Sequence, residues 1–386
     1  MMMQDSYRPD LPKKSADALD EIAPLVVNSI NQQFYPGVVI YASHHGKVIY
    51  RGVFGSRSIV PEKLPMTFDT IFDAASLTKV LVTAPAVMQL VEKGKLNLDA
   101  KAADYWPEFA AAGKKDITVK MLLTHVSGLA PVIPSPELNS ILPAEKRTPN
   151  AISWRGKQAA LQYILDLHPD HQPNSKFVYS DINFIILSEL IERVSGERLH
   201  DYAHKHIFQP LKMHNSFFLP PPSRRQEIAP TEIINSELRW GEVHDPTAWL
   251  MGGVAGMAGV FSTAADIGIF AEMILQNGRY DGGKQLLTAE SVAAMTSPQN
   301  PPDVAELRGL GWDIRSPYSC GGSYVSDKSF GHTGYTGTSL WIDPVNQSWL
   351  VILTNRVHPQ LSAQNQLIQD RKKIADLVGK ALSLLA

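Results

Sequence analysis

The chain has 386 residues, 44% of them hydrophobic, and a formal net charge of -2 at pH 7. This length can bury a large core, and the near-neutral charge argues against nucleic acid or an anionic membrane surface as a partner. The single cysteine, Cys320, excludes an intramolecular disulfide and any metal site built on cysteine pairs.

The N-terminal residues lack the apolar core of a signal peptide. No run of the chain approaches the roughly 20 apolar residues that span a bilayer. We therefore expect no transmembrane segment and a cytoplasmic location for the sequence as given. Removal of a signal peptide would instead indicate the periplasm.

The first elements in chain order are a helix and a hairpin. Apolar residues recur at helical spacing over 15–34. The β-branched and aromatic runs 37–43 and 47–55 then predict two strands, joined by a short turn that contains Gly46.

The middle of the chain is mostly helical in pattern. A long apolar helix is predicted from Ser76 to Gly94, with a bend at Pro85. A proline-rich stretch over 130–160 is expected to form an irregular loop. Residues 117–129 are predicted to form a short helix that runs into a turn at Ser127-Gly128. The remaining predicted elements are helices at 184–197, 264–277, 287–296 and about 363–385, and a second hairpin of strands 339–344 and 348–355.

Strands therefore lie at both ends of the chain and helices in between. The economical assembly is an α+β fold, with one antiparallel sheet from both chain ends flanked by helices, plus a mostly helical inserted domain. We assign residues 1–79 and 301–386 to the sheet domain and 80–300 to the helical domain, with the active site at their interface.

The first candidate motif is Ser76-Leu77-Thr78-Lys79. Residues i and i+3 of a helix share one face, with Cβ atoms about 5–6 Å apart, so Lys79 can reach the Ser76 hydroxyl. A serine needs such a base to become a nucleophile, and a lysine can serve where burial or neighbours lower its pKa. The same spacing also fits an ordinary helix N-terminus with Ser76 as the cap and Lys79 exposed.

Two further motifs admit both a functional and a structural interpretation. Tyr179-Ser180-Asp181 precedes a helix, and a phenol beside a cation can pass a proton. It could equally be a half-buried tyrosine at a turn that Asp181 caps. The glycine-rich run from Gly331 to Gly337 lets backbone approach a ligand, or it forms a turn into an edge strand.

The order of these motifs resembles the superfamily of penicillin-binding proteins, class C β-lactamases and related esterases and D-aminopeptidases. Framework segments across 35–355 resemble that superfamily in the same order. The stretch 228–263 is similar to the penicillin-binding protein 4B branch, which often has a histidine where this chain has Met257. We interpret Met257 as a packing residue.

The resemblance implies a β-lactamase/transpeptidase-like fold with no metal and no cofactor. It implies that Ser76 attacks the substrate carbonyl to form an acyl-enzyme, while Lys79 and Tyr179 share the proton transfers. The oxyanion hole would use the backbone N–H groups of Ser76 and Tyr335. The substrate-binding residues that it implies are Asp181, His332, Thr333, Gly334 and Tyr335.

Two departures from the superfamily pattern affect the expected chemistry. Asp181 stands where β-lactamases often have asparagine, and an ionised aspartate only accepts hydrogen bonds. It should keep Lys79 charged and move part of the base role to Tyr179. His332 stands where many relatives have lysine, and a neutral histidine should bind a substrate carboxylate more weakly than a lysine would. Weak β-lactamase activity at most is therefore expected.

The leading hypothesis is a serine hydrolase for esters or peptide-like amides, either an esterase or a D-Ala-D-Ala carboxypeptidase of the penicillin-binding type. Its partner would be a small-molecule or peptidoglycan-like substrate. An acyltransferase that uses the same acyl-enzyme remains an alternative. A β-lactam-binding or scaffolding relative without turnover is the non-enzyme alternative.

Other polar and aromatic residues have structural interpretations. His125 and Cys320 are expected to be structural. The pair His244-Asp245 is expected to hold the rim of the active site. Trp249 either packs or lines the acyl pocket.

Overall fold

The computed structural model describes residues 4–134, 137–138, 154–314, 319–362 and 366–385. Its strands, in chain order, are β1 (Gln4–Tyr7), β2 (Gly37–His44), β3 (Lys47–Ser58), β4 (Leu64–Pro65), β5 (Phe72–Asp73), β6 (Ile233–Ile234), β7 (Glu237–Leu238), β8 (Phe261–Ser262), β9 (Arg279–Tyr280), β10 (Lys284–Gln285), β11 (Phe330–Thr333), β12 (Ser339–Asp343) and β13 (Ser348–Thr354).

The main sheet joins the two ends of the chain. In the described part of the molecule it has seven strands, in the order β1-β3-β2-β13-β12-β11, with β4 paired to β3. Its central pair is antiparallel, from Val38 opposite Thr354 to His44 opposite Ser348. The expected antiparallel sheet built from both chain ends is therefore confirmed.

The helices follow the predicted middle-of-chain pattern. The α-helices are α1 (Lys13–Asp20), α2 (Ile22–Asn31), α3 (Ala84–Glu92), α4 (Ala102–Tyr105), α5 (Val119–Leu123), α6 (Trp154–Asp166), α7 (Asp181–Ser195), α8 (Leu199–Ala203), α9 (Gln209–Leu211), α10 (Pro246–Leu250), α11 (Ala264–Leu275), α12 (Ala289–Thr296) and α13 (Gln366–Ser383). Shorter 3-10 turns cover Ala75–Leu77, Pro107–Ala110 and Pro222–Glu227, and wide π-helical turns cover Lys79–Thr83 and His204–Phe208. None of the helices described is long and apolar enough to cross a bilayer.

Two apolar cores sandwich the sheet. On one face the terminal helices α1, α2 and α13 pack around buried residues such as Leu19, Ile352 and Ile374. On the other face α11 packs on β2 and β13, and a larger core continues into the helical region. The sheet is thus covered on both faces, and its edge strand β11 leads into a loop that carries candidate site residues. Strand β5, which precedes Ser76, pairs separately with β8.

Several element boundaries differ from the sequence prediction. The predicted helix at 15–34 is two helices broken at Glu21, because Pro24 has no N–H to continue the ladder from α1. The loop predicted over 130–160 is too long, because helix α6 begins at Trp154. Residues 135–136 and 139–153 of that stretch lie outside the described residues. Strand β1 was not predicted, since it gains its partner only by pairing with β3.

The C-terminal helix begins at Gln366 rather than 363, and 363–365 also lie outside the description. The short helix predicted within 117–129 spans Val119–Leu123. The domain boundaries at 79 and 301 stay a prediction.

Candidate active site

Ser76 lies in a tight turn between strand β5 and helix α3. The preceding residue, Ala75, has a φ of 47°, a left-handed conformation that costs a non-glycine residue on the order of 1 kcal/mol. The 3-10 turn Ala75–Leu77 then leads into the π-helical turn that begins at Lys79. Ser76 is half-buried, so part of the residue is accessible to solvent.

Lys79 is fully buried and its ammonium makes three hydrogen bonds. It donates to Ser76 Oγ at 3.1 Å, to Asp181 Oδ1 at 2.6 Å and to the carbonyl of Met257 at 3.1 Å. The i, i+3 spacing therefore brings the lysine and the serine together, as predicted. The alternative of a solvent-exposed Lys79 is wrong, since its side chain is 0% exposed.

The charge state of Lys79 follows from its two neighbours. Burial is the strongest influence and lowers the pKa of Lys79, but Asp181 and Tyr179 together outweigh it. The pKa of Lys79 is therefore raised above its ordinary value, and the side chain is an ammonium at neutral pH. This agrees with the expectation drawn from Asp181.

Asp181→Asn should lower the pKa of Lys79. The carboxylate is the largest influence that raises this pKa, and without it burial dominates. More of Lys79 is then neutral at pH 7. Because the ammonium is the form that donates to Ser76 Oγ, the falling limb of kcat/KM against pH should move to lower pH. Turnover of p-nitrophenyl butyrate between pH 5 and 10 measures it. An unchanged limb, or one moved to higher pH, would contradict this account of Lys79.

Tyr179 is held beside the lysine by the start of helix α7. The Ser180 hydroxyl caps that helix, and the Ser180 N–H donates to His125 Nδ1 at 3.0 Å. The ring of Tyr179 stacks on His125 with centroids 4.5 Å apart, and Lys79 Nζ lies 5.0 Å from the Tyr179 centroid. His125 is therefore structural, as predicted, but it also sets the orientation of the phenol.

His332 on strand β11 lies across the site from Lys79. Its ring centroid is 6.0 Å from that of Tyr179, and its Nδ1 donates to the carbonyl of Thr333 at 2.9 Å. Burial above all, then the charges of Arg308 and Lys79, lower the pKa of His332 well below its ordinary value. His332 is therefore neutral at pH 7, and no lysine-like charge stands at this position.

The loop after β11 packs directly on the turn that carries Ser76. A Cβ on Gly334 would lie 2.7 Å from the carbonyl oxygen of Ala74, so this position has no room for a side chain. Gly334 N–H donates to the carbonyl of Thr338 at 2.7 Å and closes the loop, while the Tyr335 side chain is 55% exposed. Within the described residues the Tyr335 N–H has no acceptor. That donor is thus unused in a loop that packs against the residues just before Ser76.

The rim beside this loop is formed by His244 and Asp245, as expected. The His244 ring stacks on Tyr335 with centroids 5.7 Å apart, and its Nε2 lies 3.0 Å from Glu232 Oε2. Asp245 caps helix α10 by accepting from Ala248 N–H at 2.8 Å. Burial, and to a lesser extent the charge of Asp181, raises the pKa of Asp245 to about 6. Asp245 is therefore a second carboxyl group, besides Asp181, whose charge influences the site.

Two contributions to the site escaped sequence reasoning. Met257 is a buried packing residue, as interpreted, but its carbonyl is the third acceptor for Lys79. Arg308 is a buried cation that acts on His332 and His125, and it forms an ion pair with Asp313 at 3.4 Å. Neither had a signal in the sequence, because a carbonyl leaves no pattern and Arg308 comes from a segment without a motif.

The two remaining expectations concern Trp249 and Cys320. Trp249 is half-buried and donates from its indole nitrogen to Glu242 Oε2 at 2.9 Å, so it braces the rim. Cys320 is buried, and burial raises the pKa of its thiol, which disfavours the reactive thiolate.

Comparisons with known proteins agree with this geometry. A family model described as Beta-lactamase matches residues 20–373. A protein of Escherichia coli K12 with the provisional name D-alanyl-D-alanine carboxypeptidase is 31% identical over 360 residues, which is 84% of this chain and 79% of that protein.

Two solved structures share the fold. A penicillin-binding protein homologue from Caulobacter crescentus has a TM-score of 0.73 at 21% identity and covers 98% of this chain and 100% of its own. EstCE1, a hydrolase with promiscuous acyltransferase activity, has a TM-score of 0.72 at 20% identity and covers 94% of this chain and 98% of its own. At these identities the likeness concerns the fold alone.

Proposed function

Since the chain belongs to the β-lactamase family and is a serine hydrolase that works through an acyl-enzyme, we propose that Ser76 carries the acyl group and that the substrates are esters and peptide-like amides. The observation that carries this proposal is the 3.1 Å contact between Ser76 Oγ and the buried Lys79 ammonium. A serine needs a proton-transfer partner at this distance to act as a nucleophile.

The proton path in this proposal starts from a charged lysine. An ammonium at Lys79 donates to Ser76 Oγ and cannot accept its proton until it has lost one of its own. Tyr179, next to Lys79, is the second group able to receive and return a proton. We therefore assign Lys79 to orienting and stabilising Ser76 Oγ. Tyr179, as the phenolate, takes the Ser76 hydroxyl proton as Oγ attacks the carbonyl and returns it to the leaving group when the tetrahedral intermediate collapses.

The substrate class follows from the charges opposite Ser76. His332 is neutral, and the nearby cation Arg308 is buried and ion-paired with Asp313. A substrate carboxylate thus lacks a free cation among the residues described above. Substrates without an essential carboxylate fit this site best, which favours esters and uncharged amides over β-lactams.

His332→Lys should improve acylation by benzylpenicillin by roughly tenfold, because an ammonium strengthens a hydrogen bond to the β-lactam carboxylate by about 1.4 kcal/mol. Arg308 and Lys79 would oppose that charge, so the gain should be larger at pH 6 than at pH 8. The rate of penicillin labelling measures it, with p-nitrophenyl acetate as the carboxylate-free control. Equal gains for both substrates would contradict the proposed role of residue 332.

A second candidate is a D-Ala-D-Ala carboxypeptidase, and it is favoured by the name of the E. coli relative. Such a substrate ends in a carboxylate next to the scissile amide. The neutral His332 makes this candidate the weaker one, but a longer cell-wall peptide could compensate through contacts elsewhere in the site.

One panel separates these candidates. The protein is incubated with p-nitrophenyl acetate and butyrate, a fluorescent penicillin, and a peptide ending in D-Ala-D-Ala, beside Ser76→Ala. Fast ester turnover supports the first candidate, and release of D-alanine supports the second. Faster p-nitrophenol release on adding an alcohol acceptor would show acyl transfer. Stable penicillin labelling without any turnover, or full activity in Ser76→Ala, would overturn the proposal.

A further inference from the structure

Asp73 is a buried carboxylate three residues before the proposed nucleophile. Its side chain accepts two backbone N–H groups from different parts of the chain. Oδ1 accepts from Ala75 N–H at 2.8 Å, and Oδ2 accepts from His244 N–H at 2.7 Å. The first bond holds the turn whose left-handed residue precedes Ser76, and the second ties that turn to the active-site rim.

The backbone of the same segment anchors the loop that carries Tyr335. The Thr336 hydroxyl donates to the carbonyl of Asp73 at 2.8 Å, and the Thr338 hydroxyl donates to the carbonyl of Ala74 at 2.9 Å. The ring of His244 stacks on Tyr335 as well. Asp73 therefore joins the nucleophile turn, the loop after β11 and the rim.

We infer that Asp73 is a positioning residue that fixes the two backbone donors of the oxyanion hole, the N–H groups of Ser76 and Tyr335. This inference rests on the proposed function of Ser76. Fixed donors stabilise the tetrahedral intermediate because they need no rearrangement as charge develops on the substrate oxygen. Asp73 touches no substrate atom and acts through the peptide groups that it holds.

The two bonds require two acceptor oxygens at residue 73. A carboxylate accepts with both oxygens, whereas an asparagine accepts with one and places an N–H₂ group against the other N–H. Asp73→Asn therefore loses one bond and sets two donors against each other, with almost no change in volume. The substitution separates hydrogen bonding from packing.

Asp73→Asn should lower kcat for p-nitrophenyl butyrate by roughly 10- to 100-fold, since small displacements of oxyanion donors have effects of this size. KM should stay within about threefold, because the donors act on the transition state. Affinity for phenylboronic acid, which forms a tetrahedral adduct with serine, should fall in parallel with kcat. If Asp73 only supported the fold, the substitution would lower the amount of active protein without lowering kcat and boronate affinity in parallel at constant KM.

Asp266→Asn is the matched control. Asp266 is also a buried aspartate, and its Oδ2 accepts from Asn215 N–H and the Ser216 hydroxyl, both at 2.8 Å. This variant should lose thermal stability while kcat stays within about twofold. If Asp73→Asn fails to fold, Asp73→Asn combined with Ala75→Gly replaces it, because glycine adopts the positive φ at no steric cost.

The outcomes separate this inference from the proposed function. An inactive Ser76→Ala beside an Asp73→Asn variant with unchanged kcat and boronate affinity would overturn the role of Asp73 alone. A rise in KM with constant kcat would also overturn it. Full activity in Ser76→Ala would instead overturn the proposed function on which the inference rests.

Discussion

Ser76→Ala is expected to lower kcat/KM for p-nitrophenyl butyrate by about 10⁴-fold or more and to abolish covalent labelling by penicillin. Removing a nucleophile leaves only the binding and oxyanion contributions, which account for a small part of the rate. Ester turnover and gel fluorescence measure the two effects. Folding should change little, because the half-buried hydroxyl gives up only its contact with Lys79.

Ser216→Ala is the control for that experiment. Ser216 is a buried serine that bonds to Ser262 Oγ and Asp266 Oδ2, so its loss should lower thermal stability and leave labelling intact. Labelling that persists in Ser76→Ala and vanishes in Ser216→Ala would show that the acyl group sits on another residue.

Lys79→Met is expected to lower kcat by roughly 10³-fold, comparable with the loss of one preorganised hydrogen-bond donor in an active site. It removes the donor to Ser76 and leaves Asp181, whose side chain is 20% exposed, without its cation. A mostly buried carboxylate that has lost its cation lowers the free energy of unfolding by about 2–3 kcal/mol after allowance for this exposure. Steady-state kinetics and denaturant unfolding measure the two losses separately.

Two further variants separate chemistry from stability at this position. Lys79→Met combined with Asp181→Asn should recover stability and remain inactive, because no charge is stranded. Lys114 is also fully buried, and its ammonium donates to the carbonyls of Leu165 and Leu167. Lys114→Met should therefore lose stability but retain kcat. Recovery of activity in the double variant would contradict the role assigned to Lys79.

The chain-local part of the site was predictable from sequence. Ser76 and Lys79 lie on one helical face because three residues separate them, and that geometry does not depend on the rest of the fold. The charged state of Lys79 also followed from Asp181, once the order of the motifs placed the two together. The assignment of catalytic roles stays a prediction.

The long-range part of the site was not predictable from residue patterns. The carbonyl of Met257 and the cation of Arg308 reach the site through tertiary packing alone. The hydrogen bond from His244 N–H to Asp73 joins segments that carry no shared motif. Strand β1 was also not predictable, because its residues have little β-propensity and form a strand only by pairing with β3.

Because β2 pairs with β13, the parts of the site are completed at different times during synthesis. The central strand β2 leaves the ribosome long before its partner β13, which places Thr354 opposite Val38. Ser76 and Lys79 therefore emerge long before Thr336 and Thr338 can bond to the carbonyls of Asp73 and Ala74. A nascent chain that stops before this loop carries Ser76 and Lys79 without the proposed second oxyanion donor, so we expect hydrolytic activity only after the loop and β13 have been made.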